Sequence, residues 1–372
     1  MKKLFTLKGY LPALYSCLLF FVIILSFGAC KKLTQEIVLK HFDQVNLVDN
    51  NGEYMPQHVD ATLINAWGIA FNPAGVPWVN SQGGGVSEVY DKDGNTLRPG
   101  VWIPGPTPKV AGNPTGIVFN ASNDFLLSDG KAAKFIFVGV DGVLSAWNPG
   151  AGNAAELIKN NSATAVYTGL AIGKILGGNY IFAADFRGGK ITTWDKNWNK
   201  VSLAFKDPTL PVGYSPFNIQ AVGNWLYVAY AKVGADGDEV VGAGNGYVSI
   251  FKTDGTFVKR FASKGGLNAP WGIAHAPAAF FKDSDDDMFS KLTDGIKDMV
   301  LIGNFGDGQI NVYSEAGDWI GVLKSRGKPI VIDRLWAISF PPAASPIDPN
   351  RLYFAAGPDD EKDGLFGYII KE

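Results

Sequence analysis

Past residue 41 the chain is written in short apolar runs that alternate at period two and break at Gly, Asp and Asn. This is the pattern of half-buried β-strands joined by tight turns. The runs come in sets of four, and the sets repeat. One complete set is NAWGIAF (65–71), VPWVNS (76–81), GVSEVYD (85–91) and TLRPGVWI (96–103). A second set opens at NPTGIVF (113–119), with DFLLSD (124–129) as its second strand, KFIFVGVDGVLSAWNP (134–149) as its third and AVY (165–167) near its outer one. Sets three to six open at TGLAIG (168–173), PFNIQAVG (216–223), NAPWGIA (268–274) and DRLWAISF (333–340). Equivalent positions in the opening strands are Gly68, Gly116, Gly169, Asn218, Gly272 and Ala337, with steps of 48, 53, 49, 54 and 65 residues between them. The longest step contains the insertion KDSDDDMFSKLTDGIK (282–297). A period near 50 with four strands per unit predicts an all-β, six-bladed propeller. The sixth set ends after three strands, at Ile370, and a lone strand FDQVNLV (42–48) precedes the first set. That N-terminal strand is therefore expected to complete blade six and close the ring. The domain boundaries that follow are 1–29 for a signal segment, 30–42 for a tether and 43–372 for one propeller.

The first thirty residues change the picture from shape to location. Lys2, Lys3 and Lys8 come before an apolar stretch from Leu11 to Ala29, and small Gly28 and Ala29 stand before Cys30. This is the order of a bacterial secretion signal, and its end resembles a lipobox, in which the Cys30 thiol is lipidated. Lys31 and Lys32 replace the aspartate that signals inner-membrane retention, which favours the outer membrane. The alternative is an uncleaved span of 19 residues, just long enough to cross a bilayer. Cys17 and Cys30 are the only cysteines, so the propeller has no disulfide and relies on its core and on ring closure. The net charge is −2, without the basic stripe that marks a nucleic-acid partner. The expected partners are the membrane, through lipid on Cys30, and a protein or glycan ligand; the chain is expected to be a monomer.

In such blades the loop leading into strand one and the loop between strands two and three share one rim, where scaffolded sites collect. The leading segments bring Asn65, Asn113, Asn218, Asn268 and Asp333, and the two-to-three loops bring Gln82, Asp129, Lys131, Asp185, Arg187, Lys232, Asp236, Asn304, Asp307, Asp359, Asp360 and Glu361. Such oxygens suit a polar ligand or Ca²⁺; the competing explanation is that Asp and Asn cap turns. The densest acidic loop is AGPDDEKDG (356–364). In DSDDDMFSKLTD (283–294), Asp283, Asp285 and Asp287 match a calcium-loop register, but Met288 stands where Gly is needed and Asp294 where Glu is needed. Trp67, Trp271 and Trp336 recur at equivalent positions, as wedges between blades or as a stacking surface for sugars. His41, His58 and His275 are too scattered for a zinc triad, and His275 is expected to be packed within its strand. No G-x-S-x-G elbow occurs.

NAWGIA, PTGIVFN, FAADFRGGKI, LNAPWGIA, GNFGDGQINVY, GKPIVIDRLWAISF and FAAGPDDEKDGLFG run from about Asn46 to Ile370. Together they resemble a conserved, uncharacterised family of secreted bacterial proteins related to NHL-type six-bladed propellers. The resemblance implies fold and export, and carries over no catalytic residues. Two functions from different classes follow. One is a non-enzymatic binding or scaffold propeller that engages a protein or glycan through one rim. The other is a Ca²⁺-dependent hydrolase resembling the lactonases, which hold their metal with Glu, Asn and Asp at the channel mouth. The inner strands carry no Glu and Glu361 sits in a loop, which favours binding. No cofactor is required, and Ca²⁺ is the one candidate.

Overall fold

The computed structural model describes residues 39–282 and 297–371. It is a ring of six antiparallel sheets. The inner strands are Ala66–Phe71, Pro114–Phe119, Tyr167–Ile175, Tyr214–Val222, Pro270–Ala276 and Leu335–Ser339. Each packs beside the next, and the sixth returns to the first. Alternating side chains bury both faces of a blade, one against each neighbour: in blade two Ile117, Phe135 and Phe137 pack against blade one, and Val118, Ile136 and Val138 against blade three. The helical turns among the described residues are the short 3₁₀ segments Pro149–Ala151 and Ala278–Phe281, and none is long and apolar enough to cross a membrane. The expected signal segment, the expected lipidation position Cys30 and the acidic positions Asp283, Asp285 and Asp287 lie outside the described residues.

The ring closes as the strand count requires. Phe42–Asp49 pairs antiparallel with Leu365–Lys371, Phe42 opposite Lys371 and Asp49 opposite Leu365. His58–Val59 adds a short parallel strand outside it, so this blade has five strands where the others have four. Phe42, Leu47 and Val48 are fully buried. Burial of side chains this size is worth about 1.5–3 kcal/mol each, so the closing strand is firmly seated.

Blade two departs from the expected strand assignment. Residues 124–129 are loop; the second and third strands are Phe135–Gly139 and Val143–Trp147, and the outer strand is Glu156–Asn160. The pair Asp141-Gly142 turns between strands two and three, with Gly142 at φ 74°, the geometry that Asp-Gly supplies. Phe125 and Leu127 serve packing between blades. Phe125 is fully buried 5.0 Å from the Trp198 ring of blade three, whose Nε1 donates to Leu126 O.

All six inner strands share one irregularity. Their register against the second strand slips within 66–69, 114–117, 167–169, 216–218, 270–272 and 335–338. The recurring glycine sits in this slip because neighbouring inner strands nearly touch there. A Cβ on Gly68 would lie 2.2 Å from Thr115 O, and one on Gly169 would lie 2.0 Å from Asn218 Oδ1, distances that only glycine avoids.

Candidate functional site at the channel mouth

A slip of this kind is a β-bulge, and bulges re-aim side chains. The residues beside the recurring glycine position are Trp67, Thr115, Thr168, Phe217, Trp271 and Trp336. The aromatic ones meet across the axis of the ring. Trp67 and Trp336 stack at 3.5 Å and 14°. Trp271 stands edge-on to both, at 6.5 and 6.0 Å. Phe217 of blade four lies 5.6 Å from Trp336 of blade six, and Trp271 Nε1 of blade five donates to Thr168 O of blade three at 2.9 Å. Contacts between blades that are not neighbours require side chains that cross the channel. The tryptophans therefore plug it; they do not wedge between blades. Trp336 Nε1 donates to Asn65 Oδ1 at 2.8 Å. Trp67 Nε1 is buried and has no hydrogen-bond partner among the described residues.

Above the plug, on the predicted rim, lies a pocket of about 610 Å³. Trp67, Trp336, Phe217 and Phe186 form its apolar floor. Its acidic wall comes from two loops. The first, residues 233–245 between Trp225–Lys232 and Gly246–Lys252, brings Asp236, Asp238 and Glu239 over the mouth. The second, between Leu352–Ala356 and Leu365–Lys371, brings Glu361. Asp359, Asp360 and Glu361 are all left-handed, at φ 52°, 51° and 67°, a conformation that costs about 1–2 kcal/mol per non-glycine residue. The turn is held by Glu361 N donating to Gly357 O at 2.9 Å, Asp363 N donating to Pro358 O at 3.1 Å, and an Arg334–Asp360 ion pair at 2.7 Å. Strain maintained by its surroundings in this way clusters at functional sites. It delivers the Glu361 carboxylate to Asn65, whose Nδ2 donates to Oε2 at 2.8 Å.

Burial raises the Glu361 carboxyl above its ordinary value, with Asp238 and Asp360 adding to the effect and Arg334 and the Asn65 bond opposing it. Burial also pushes Glu239 up, to about 7; the charges of Glu361 and Asp238 add to this, and Arg334 opposes it. A carboxyl half ionised at neutral pH can hold a cation or exchange a proton with a bound molecule. Among the described residues no three His, Cys, Asp or Glu side chains are grouped so that they could hold a metal ion. A second cavity of about 710 Å³ opens on the opposite face, beside the exposed Trp225, His275 and Glu315. His275 is not packed within its strand: it is solvated there, 3.3 Å from Glu315 and 3.8 Å from Asp298.

Of the rim candidates, the structure brings Asn65, Gln82, Arg187, Asp236 and Glu361 to the mouth pocket. Others are spent on local turns. Asp185, buried, accepts from Val166 N and Gly188 N. Asn304 donates to Gly266 O and Asp307 Oδ1, while Asn268 Oδ1 accepts from Gly242 N. Asn113 donates weakly to Gln82 O at 3.4 Å. Asn218 lies lower in the channel and ties blade four to blade five through Trp271 O at 2.7 Å. Asp359 and Asp360 are solvent-facing edges of the acidic turn. Asp129 is on the other face: its loop joins strands one and two of blade two, and its carboxylate accepts from Asn148 Nδ2 at 3.2 Å. That displacement follows from the strand assignment corrected above. Sequence reasoning missed Glu239. The available signal was loop length, since residues 233–245 replace what in blade three is only 186–189.

No family model matches the chain. Two uncharacterized proteins of Acanthamoeba polyphaga mimivirus do. R648 is 33% identical over 351 residues, covering 88% of this chain and 80% of its own, and L690 is 32% identical over 348 residues, covering 88% and 86%. The chain belongs to their family. A third mimivirus protein, R640, matches at 31% identity over 58% of this chain. The relatives found are thus viral, where the motifs resembled a bacterial family. Similar solved structures include virginiamycin B lyase from Staphylococcus aureus, at 13% identity and TM-score 0.47 over 89% of this chain and 99% of that one. Another is the calcium-binding protein regucalcin from Agrobacterium tumefaciens, at 13% identity and TM-score 0.48 over 83% and 92%.

Proposed function

We propose that this propeller is a binding protein that holds a small glycan-type ligand in its mouth pocket, and that it is exported and anchored to the cell envelope, at the outer membrane, by lipid on Cys30. The observation that carries the binding reading is the blind pocket itself. An aromatic floor lies under walls of carboxylate, amide and guanidinium groups, built by loops from every blade but the fifth. A volume of about 610 Å³ falls within the range of small-molecule sites. A recessed pocket of this kind favours a glycan over a protein as the partner, since a protein would need a broad contact face. The anchoring reading rests on the order of Lys2, Lys3, the apolar stretch and Cys30. Three tryptophans at the plug report on the pocket, so titration of the full-length protein with a panel of mono- and oligosaccharides is expected to change tryptophan emission with saturation. A panel that leaves emission and melting temperature unchanged contradicts the reading. One observation favours a second reading: the Glu239 carboxyl, near half ionisation at neutral pH, suits a general base for hydrolysis. Under that reading the protein turns over members of a sugar-lactone panel and Glu239→Gln abolishes the turnover; saturable binding without turnover rejects it.

A further inference from the structure

We infer that the mouth pocket selects a ligand carrying an ammonium group beside a hydrogen-bond acceptor, with amino sugars as the ligand class and Glu239 and Glu361 as the residues that set the selectivity. This inference rests on the reading of the pocket as a glycan site and names which glycans it takes.

The charge inventory points this way. Asp236, Asp238, Glu239 and Glu361 all line the pocket, against a single guanidinium, that of Arg187. Arg334 acts on both glutamates from beside them, but its own guanidinium is bonded to Asp360 at 2.7 Å. Burial raises the Glu239 and Glu361 carboxyls, and the charge of Asp238 adds to both, so the empty pocket carries repulsion that a bound cation removes. A neutral hydroxyl in the same place could bond one carboxylate but would leave the charge uncompensated. The second observation is independent of charge. The Trp67 Nε1 donor at the floor is buried without a partner, while Trp271 and Trp336, in equivalent positions, each donate to an oxygen. A buried donor left unmet costs about 1–3 kcal/mol; Trp67 lines the pocket, and a small rotation of its ring on binding opens the shielded Nε1 to a ligand oxygen at the floor. An ammonium at the acidic wall together with an oxygen at the floor describes an amino sugar: a ring of hydroxyl oxygens with one replaced by nitrogen.

Calorimetry on the full-length protein tests this with three probes matched in shape: glucosamine, glucose and N-acetylglucosamine. At pH 7 glucosamine is expected to bind at least about tenfold more tightly than either neutral sugar. Its affinity is expected to fall more than about tenfold on going to pH 5, since only the ionised fraction of Glu239 is competent. Glu239→Gln and Glu361→Gln are each expected to reduce glucosamine binding to the level of glucose, with unchanged circular dichroism showing that the variants fold. Asp129→Asn, on the opposite face, is expected to leave all three affinities as they are. Equal binding of the three sugars overturns the amine selectivity while leaving the glycan site standing. A glucosamine preference that survives both glutamate substitutions overturns the assignment of those residues. Binding of none of the three, alongside a silent saccharide panel, overturns both the inference and the reading beneath it.

Discussion

At the scale of single residues, the side chain that most sharply separates function from stability is Glu239. A carboxyl raised from an ordinary 4.5 to about 7 binds its proton more tightly in the folded chain than in the unfolded one. Its favourable contribution is therefore complete below pH 4.5 and is lost as the pH rises through 7. Glu239→Gln removes that loss. It is expected to raise the melting temperature at pH 8 by a few degrees, corresponding to about 1–2 kcal/mol once partial solvent screening is allowed for, and to have no such effect at pH 4.5. Equal melting temperatures for wild type and variant at pH 8 would contradict this environment for Glu239. The sequence did not reveal the residue. Its neighbours in VGADGDEVVGAGNG (233–246) are those of any solvated loop, and only three-dimensional reach carries it over the mouth. Glu361 was legible because four acids within six residues are conspicuous; the left-handed turn that presents it was not, since Asp-Asp-Glu carries no glycine to announce positive φ.

At the scale of elements, ring closure depends on one capped strand. Asp49 ends the strand Phe42–Asp49 fully buried, and its carboxylate accepts from Asn51 N, Gly52 N and Tyr54 N at 3.1, 2.6 and 2.9 Å. Across the seam, Asp363 accepts from Asn50 Nδ2, Asn51 Nδ2 and the Tyr54 hydroxyl. Asp49→Ala leaves three backbone donors unmet and is expected to cost about 2–3 kcal/mol. It should lower the melting temperature by several degrees and open residues 42–60 to limited proteolysis. A variant as resistant as wild type would show that the seam is held elsewhere. The closing strand could be read from sequence by counting, because a sixth set lacking a fourth strand needs one from the other end. Blade two could not. DFLLSD is a short apolar run between polar residues, too short to distinguish a ladder from a loop that buries Phe125, and reading it as a ladder places Asp129 on the wrong face. The bulge shared by the six inner strands was also hidden: the recurring glycine was visible, but not the extra residue beside it that turns Trp67, Trp271 and Trp336 into the channel.

At the scale of the whole molecule, six blades are locked by a closing strand at the rim of the sheet stack and by an aromatic plug at the axis. The mouth pocket lies above the plug, and another cavity opens on the opposite face beside blades four to six. The closing strand is also the one nearest the proposed anchor, so the anchor and blade six are neighbours in the chain. Cys30→Ala is expected to release the protein from the membrane fraction of the expressing cell, whereas persistence in that fraction would favour the uncleaved span. The central claim is that ligand occupies the mouth above the plug. Hydrogen–deuterium exchange of the full-length protein with and without glucosamine tests it most directly. The account predicts slowed exchange in residues 233–239 and 357–363, with residues 124–133 on the opposite face unchanged. Protection confined to the opposite cavity, around residues 220–225 and 273–275, would contradict it.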